Sequence, residues 1–508
     1  MKRPGRATNV VSASYFSRNQ DVNNLKNRAI QSGGASVISS VMVTTFRIGG
    51  LIVLARLLTP NDFGLVTMVS AITNIFYLFQ DVGLTDATIQ ASEINHIQIS
   101  TLFWINLGFS FLITFVLMAS APLIAVFYNR SELTLIMMIS AFNFVFWGLT
   151  TQHVALLKRN MQFVKVGFIE LASNSVSTIV AIGLALIGWR YWAIVLRDII
   201  YGVIKWLLVW AACRWRPGRP RRNAGVRPFL RFGINSVGFY IVNYFANNAD
   251  KAIVGKTQGA EALGFYSRAY YLSTSLSGQL AFSIFHVAVS TLSRLRDDPL
   301  KYRKYYFNAI WVISFIGMPA SVYLLLMSKE IILFLLGPQW GKAAEIFSVL
   351  GISAGINILY STNGWLHVSL GRSDRWMRWG VVSSLIIVFG FIIGSPFGIR
   401  GIAIAYTVTT IALTIPGLLY AGSPIGLKLR EILSPIWKAV ISAIFSGALF
   451  GIIKSTLMPE LGIFIDLTVT MVMFICIYLI FIIIIHRGIR PLRELISVFK
   501  LTFIKRSA

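Results

Sequence analysis

Apolar runs of about 20 residues succeed one another from residue 33 almost to the end of the chain, separated by short polar turns. The hydrocarbon core of a bilayer is about 30 Å thick, and a helix of this length crosses it with all its backbone polar groups paired. The pattern predicts an all-α polytopic membrane protein with about 14 transmembrane helices. The predicted spans are 33–58, 63–84, 100–127, 133–155, 168–188, 190–212, 232–255, 262–288, 305–327, 341–369, 375–395, 398–420, 436–456 and 462–485.

The first two spans recur 200 positions later without a gap. Few identities survive, but polar residues keep steps of three and four along otherwise apolar helices, and this spacing places them on one helical face. Because a polar face has to avoid lipid, the four striped helices predict a water-filled cavity between two related halves. The identical pairs are Gly33, Ser36, Val37 and Gly64 with Gly233, Ser236, Val237 and Gly264. We call the polar face of each helix a stripe. The stripe of the first span is Ser36, Ser40, Thr44 and Arg47, and its copy is Ser236, Tyr240, Tyr244 and Asn247. The stripe of the second span is Thr67, Ser70, Asn74, Tyr77 and Asp81, and its copy is Ser267, Tyr270, Thr274, Ser277 and Ala281.

Composition supports the membrane assignment and excludes other classes. Of 508 residues 56% are hydrophobic and 13% are charged, with a mean hydropathy of +0.70, which is far outside the range of soluble proteins. The two cysteines, Cys213 and Cys476, indicate neither a disulfide framework nor a metal site. The net charge of +27 does not indicate nucleic acid, because the basic residues lie between the spans, where topology accounts for them.

The distribution of basic residues predicts the orientation. With an even number of spans both termini lie on one side, and that side holds 33 of the 46 Lys and Arg residues against eight in the opposite turns. The positive-inside rule therefore predicts cytoplasmic termini. The one loop on this side that lacks basic residues is 85–99, which is predicted to be a short interfacial segment.

The strongest boundary in the sequence is the segment from Arg214 to Arg231, with seven arginines, three prolines and two glycines. It separates two sets of six spans. Because six is an even number, the second set starts on the same side of the membrane as the first and has the same orientation. The predicted organisation is a basic cytoplasmic tail (1–32), an N-lobe (33–212), a cytoplasmic linker (213–231), a C-lobe (232–420), two additional spans (421–486) and a second basic tail (487–508).

The turn after the first span carries a local helix signal and a family resemblance. Pro60, with Asn61 and Asp62, is expected to cap and start the second helix. The run "LARLLTPNDFGLVTMVSAITNIFYLFQDVGLTDATIQ" resembles the opening of the polysaccharide transporters, the Wzx-type oligosaccharide flippases that serve exopolysaccharides such as colanic acid or xanthan, and "ALGFYSRAYYL" continues the likeness. This family shares a superfamily with the MATE drug exporters and the lipid II flippase. The resemblance implies two six-helix lobes, related as a parallel repeat, in a V around a cavity lined by helices 1, 2, 7 and 8.

Charged residues inside spans are functional candidates, because an ion in lipid is costly. Arg47 lies near the middle of the first span and is expected to bind an anionic substrate; the alternative is a structural ion pair with Asp81 or Asp250. Asp81 and Asp250 are expected either to bind a coupling ion or proton or to form a salt bridge that gates the cavity. Lys251 and Arg268 are expected to extend the basic path outward; the alternative is a local pairing of Asp250 with Lys251 and with lipid head groups.

Further charged and aromatic positions complete the list of candidates. Glu170 is expected at the membrane interface, and Arg197 and Asp198 need partners that the sequence does not name. Tyrosine, asparagine and hydroxyl side chains on the stripes suit sugar rings, although helix–helix hydrogen bonding is the alternative. The predicted cavity residues are Arg47, Thr44, Ser40, Asn74, Tyr77, Tyr240, Asn243, Asn247, Lys251, Arg268 and Thr274.

The leading functional hypothesis is a flippase, a transporter that needs no catalytic residue, metal or cofactor. Its implied partner is an undecaprenyl-pyrophosphate-linked oligosaccharide in the bacterial inner membrane, with the polysaccharide polymerase and co-polymerase complex as a candidate protein partner. One alternative is a multidrug or other lipid-linked precursor exporter of the same superfamily, against which Arg47 argues. A second is a membrane polysaccharide polymerase or ligase, against which the short outer turns argue. The sequence contains no phosphate-binding glycine loop, metal motif or nucleophile elbow.

Overall fold

A computed structural model of the chain describes residues 22–80, 84–91, 93–221, 224–457, 462–489, 491 and 493. Within these ranges the side chains at 22–38, 40, 78–80, 86–87, 227–247 and some positions between 276 and 286 are outside the description.

The described chain is helical almost throughout. The α-helices are α1 (Val22–Leu57), α2 (Pro60–Gln80), α3 (Leu84–Gln90), α4 (His96–Tyr128), α5 (Glu132–Arg159), α6 (Phe163–Leu186), α7 (Tyr191–Ala212), α8 (Arg227–Arg294), α9 (Pro299–Leu326), α10 (Ser328–Leu336), α11 (Gly341–Ser369), α12 (Ser373–Gly394), α13 (Gly398–Gly422), α14 (Leu429–Leu433), α15 (Trp437–Leu457) and α16 (Ile463–His486). Helix α8 is interrupted at Gly259, whose φ of 82° and ψ of −178° are accessible to glycine and not to residues with a Cβ.

The predicted helical membrane fold is confirmed. When the two parts of α8 are counted separately, fourteen helices of the described chain are longer than 20 residues, and each overlaps one predicted span. Eight helical stretches in the described ranges are long and apolar enough to cross a membrane by length and composition. The main difference is at the beginning, where α1 already starts at Val22, within the segment predicted as a tail.

The start of α2 is fixed by local capping, as predicted. The Asp62 carboxylate accepts hydrogen bonds from the backbone N–H of Thr59 (3.0 Å) and from its hydroxyl (2.6 Å). Arg190, at the start of α7, lies 3.4 Å from the other oxygen of Asp62. A carboxylate in the first turn also interacts favourably with the helix dipole.

A reciprocal glycine contact joins the two copies of the repeated stretch. A Cβ on Gly64 would overlap the carbonyl of Ala260, and a Cβ on Gly264 would overlap the carbonyl of Pro60. Pro60 and Ala260 are themselves 200 positions apart, so each partner is the repeat equivalent of the other. Glycine at both positions allows the two backbones to touch.

The Arg/Pro-rich segment that follows α7 is packed against the start of α4. Trp215 donates its indole N–H to Nδ1 of His96 (3.0 Å), and Trp104 donates to the carbonyl of Gly218 (2.8 Å). The Gly218 N–H donates in turn to the Ser100 hydroxyl (2.9 Å). These bonds attach the linker to the first set of helices.

The residues divide into two compact units, Met1–Gly264 and Phe265–Ala508. In the first unit a core of buried side chains from α3 to α7 includes Phe103, Leu156 and Trp215. In the second unit the main core gathers α8, α9, α11, α13 and the last two long helices around residues such as Tyr306 and Trp365. The division into lobes at 212 and 232 stays a prediction.

An ion-pair cluster attaches the last two long helices to the rest of the second unit. Lys454 on α15 pairs with Glu330 on α10, and its Nζ also lies 3.7 Å from the Asp466 carboxylate on α16. Tyr323 on α9 adds a hydrogen bond from its hydroxyl to the carbonyl of Leu467 (3.1 Å).

Candidate functional site

A cleft of about 300 Å³ in the first unit contains Arg47. Ser39, Thr44 and Arg47 on α1 form one wall, and Gly167 and Glu170 on α6 form another; the cleft is lined by Ser39, Val43, Thr44, Arg47, Lys158, Phe163, Val166, Gly167 and Glu170. We call it the Arg47 cleft. A Cβ on Gly167 would overlap the Ser39 hydroxyl, so the glycine lets α1 and α6 approach closely.

Glu170 is held in a triad of side chains. Its carboxylate lies 2.7 Å from Nζ of Lys205 and accepts a 2.5 Å hydrogen bond from the Tyr201 hydroxyl. Lys205 also donates to that hydroxyl, at 3.1 Å. Both carboxylate oxygens of Glu170 are therefore occupied by partners from α7. We call this arrangement the Glu170 triad.

A second cleft, of about 240 Å³, lies on the other side of the triad. It is formed by α2, α5 and α7 and is lined by Tyr77, Asn143, Phe146, Trp147, Thr150, Asp198, Tyr201, Gly202 and Lys205. Trp147 is its largest aromatic residue; the Tyr77 ring lies 5.5 Å from it, and Tyr77 stacks on Phe144 at 4.5 Å. We call it the Trp147 cleft. Glu170 lines the first cleft and its partner Lys205 lines the second, so the triad separates the two.

The charges in the Arg47 cleft do not cancel. Glu170 is neutralised by Lys205, 2.7 Å away. Among the residues that the structure describes, no carboxylate lies within 4.0 Å of Arg47 or of Lys158. Two cations therefore remain beside the hydroxyls of Ser39 and Thr44, and the cleft is suited to an anion. Arginine binds phosphate through two parallel hydrogen bonds, and lysine acts as a point charge.

The structure gathers three of the predicted cavity residues into these clefts. Arg47 and Thr44 line the Arg47 cleft, and Tyr77 lines the Trp147 cleft. Asn74 is exposed on α2 and lines neither cleft. The predicted residues Ser40, Asp81, Tyr240, Asn243 and Asn247 lie outside the residues or side chains that the structure describes.

The remaining predicted residues lie elsewhere. Lys251 donates from Nζ to the amide oxygen of Asn248 (2.8 Å), and Asp250 is buried and accepts the backbone N–H of Lys251 (2.8 Å). In the second unit the Arg268 guanidinium lies 5.7 Å from the centre of the Tyr271 ring. Thr274 donates to the carbonyl of Tyr270 (2.7 Å), a bond within its own helix. Their assignments to substrate or coupling stay predictions.

The structure gives partners to two charged residues of the sequence analysis. Glu170 pairs with Lys205 and Tyr201 between two clefts, and its place at the membrane interface stays a prediction. Arg197 finds a partner in the Thr178 hydroxyl, to which its Nε donates at 3.3 Å, whereas Asp198 faces the Trp147 cleft.

Sequence reasoning missed most of the second cleft, although a signal was present. Asp198, Tyr201 and Lys205 follow one another at steps of three and four along α7. Asn143, Trp147 and Thr150 do the same along α5. The same criterion that identified the stripes of the first two spans identifies both faces.

The helices define a polytopic membrane protein, and comparison with solved structures shows which fold it shares. The lipid II flippase MurJ in an inward closed conformation matches with a TM-score of 0.71 and 16% identity, covering 89% of this chain and 99% of that chain. A MATE family multidrug resistance transporter of the MOP superfamily, in its inward-facing conformation, matches with a TM-score of 0.54 and 13% identity, covering 82% and 98%. At these identities the likeness concerns the fold.

The family follows from the sequence. The model of the polysaccharide biosynthesis protein family matches residues 53–345, more than half of the chain, and the chain belongs to this family. It is therefore a polytopic membrane protein of polysaccharide biosynthesis. The resemblance inferred from residues 54–90 is confirmed.

Several relatives span most of the chain at low identity. Lipopolysaccharide biosynthesis protein WzxC of Escherichia coli (strain K12) is 23% identical over 421 residues, which is 81% of this chain and 85% of WzxC. Teichuronic acid biosynthesis protein TuaB of Bacillus subtilis (strain 168) is 26% identical over 82% of this chain and 88% of TuaB. Succinoglycan biosynthesis transport protein ExoT of Rhizobium meliloti (strain 1021) is 21% identical over 71% and 74%.

Proposed function

We propose that the protein is a flippase for a lipid-linked oligosaccharide. Its substrate is an oligosaccharide repeat unit joined through a pyrophosphate to undecaprenol, and it moves the head group from the cytoplasmic to the periplasmic leaflet of the bacterial inner membrane by alternating access. The resemblance to Wzx-type flippases and the names of the relatives, among them a succinoglycan transport protein, support this class of substrate.

The observation that carries the proposal is the net positive charge of the Arg47 cleft. A diphosphate that leaves water needs cationic and hydrogen-bonding partners inside the membrane. Arg47 and Lys158 supply the charge, and Ser39 and Thr44 supply hydroxyl donors from the same side of the cleft. The polyprenyl chain needs no such partners and stays in lipid.

The same charges argue against a cationic drug as the substrate. A cationic amphiphile would be repelled by Arg47 and Lys158, and the nearby carboxylate of Glu170 is already paired with Lys205. Discrimination of this kind arises from a repulsive element as well as from attraction.

The test is polysaccharide export in cells that depend on this protein. Arg47→Ala is expected to abolish export while the protein remains inserted at normal abundance. Arg47→Lys is expected to retain part of the activity, because the charge persists but the bidentate geometry is lost. Export is measured as surface polysaccharide per cell, and abundance by immunoblot of membrane fractions.

The matched control is Lys165→Ala, which removes an exposed cation on α6 outside the cleft and should export normally. Normal export by Arg47→Ala would refute a role in substrate binding. A collapse in the abundance of Arg47→Ala would instead favour the structural ion pair, and joint replacement of Arg47 with Asp81 or Asp250 should then restore abundance.

A further inference from the structure

The Trp147 cleft has the chemistry of a sugar-binding subsite. Trp147 is 40% exposed although it lies within a group of packed aromatic rings. Nζ of Lys205 lies 5.3 Å from the centre of the Trp147 ring, and the exposed part of the ring offers an apolar surface to the C–H groups of a sugar. Asn143 and Asp198 supply hydrogen-bonding groups in the same cleft.

These two polar side chains are available for a ligand. In the part of the chain that the structure describes, neither the Asn143 amide nor the Asp198 carboxylate forms a hydrogen bond or an ion pair. A carboxylate inside a transmembrane helix is costly, so its place in a polar cleft indicates a function. Lys205 is engaged by Glu170 and Tyr201, and Arg197 acts on Asp198 electrostatically without an ion-pair contact, since its Nε donates to Thr178.

The size and place of the cleft limit the ligand. Its volume of about 240 Å³ lies below the roughly 300–1,000 Å³ of pockets that enclose drug-sized ligands, so it suits a single ring. The Glu170 triad is shared with the Arg47 cleft, where the proposed function puts the diphosphate. In a lipid-linked oligosaccharide the first sugar is bonded directly to that diphosphate.

We propose that the Trp147 cleft binds the first sugar of the head group, as a neutral pyranose ring stacked on Trp147 with its hydroxyls donating to Asp198 and Asn143. This inference rests on the proposed flippase function and adds the class of sugar. A uronic acid is disfavoured, because its carboxylate would face Asp198. The cleft thereby contributes to substrate selection beyond the charge recognition of the Arg47 cleft.

The experiment compares two ligands on the full-length protein in nanodiscs. One probe is a polyprenyl diphosphate that carries a single glucose, and the other is the same polyprenyl diphosphate without sugar. The wild type should bind the glucose-bearing probe about tenfold more tightly. Trp147→Ala and Asp198→Asn should lose most of this preference while their affinity for the sugar-free probe stays unchanged, and Trp147→Phe should keep part of it.

The controls separate the subsite from the folded state and from the proposed function. Trp189→Ala, which removes an exposed tryptophan outside the cleft, should leave both affinities unchanged. Arg47→Ala should lower the affinity for both probes by the same factor. A glucuronic acid in place of glucose should bind more weakly to the wild type.

Four outcomes would overturn the subsite. They are an unchanged preference in Trp147→Ala, an equal loss for both probes in Trp147→Ala and Asp198→Asn, a wild type that does not distinguish the probes, and tighter binding of the glucuronic acid probe. In each of these cases binding of the sugar-free probe by the wild type keeps the flippase proposal intact. Failure of the wild type to bind either probe would overturn both proposals.

Discussion

Glu170 illustrates how a charged side chain is accommodated within the helices of this protein. Its partners Tyr201 and Lys205 come from a neighbouring helix, and the exposed fractions of the Glu170 and Lys205 side chains are only 29% and 14%. The pair is therefore screened less than a surface ion pair, and the hydroxyl satisfies the second carboxylate oxygen. The triad stabilises the packing of α6 on α7 as well as the wall between the clefts.

At this scale we predict that the triad is coupled energetically. Lys205→Met should destabilise the protein by about 2 kcal/mol, because it leaves Glu170 without its cation in a half-buried position. The double variant Glu170→Gln with Lys205→Met should recover most of that loss. The stability of the single and double variants is measured as the melting temperature of the purified protein in detergent. If the double variant loses as much stability as the two single variants together, the pair is not coupled.

At the scale of helices, the glycine contact between residues 60–64 and 260–264 depends on backbone proximity. Gly64 and Gly264 occupy equivalent positions of the repeat. Gly64 faces the carbonyl of Ala260, and Gly264 faces the carbonyl of Pro60. A methyl group at either position has no space, and the obstacle is backbone, which cannot rotate away. The contact therefore explains why glycine occupies both positions.

We predict that Gly64→Ala and Gly264→Ala each destabilise the protein, by about 1–3 kcal/mol, as overpacking does elsewhere. Gly49→Ala is the matched control, since a Cβ there meets nothing within 4 Å and alanine is a better helix former than glycine. Its melting temperature should be unchanged or higher. Equal melting temperatures for Gly64→Ala and Gly49→Ala would contradict the importance of the contact.

At the scale of the whole molecule, the basic residues predict the orientation in the membrane. Asn61 lies in the first turn of α2, beside Asp62, and Arg221 belongs to the linker that is packed on α4. The positive-inside rule puts the first outside and the second inside.

Cysteine labelling tests this orientation. A membrane-impermeant maleimide added to intact spheroplasts should label Asn61→Cys and miss Arg221→Cys, and permeabilisation should expose the latter. Cys213 should react slowly in both conditions, because it is buried and burial raises the pKa of its thiol. Labelling of position 221 but not of position 61 would show that the orientation is the reverse of the predicted one.

The sequence by itself determined the class of fold and the position of the helices, since the length of an apolar run is set by the bilayer and the start of α2 by side chains within three residues. It also identified Arg47, Thr44 and Tyr77, whose polarity is conspicuous on apolar helices. Only the tertiary structure decided that Glu170 pairs with Lys205, that Lys158 joins Arg47, and that Asp198 and Trp147 line one cleft. These residues lie on different helices, and helical periodicity specifies a face without specifying the neighbour that packs against it.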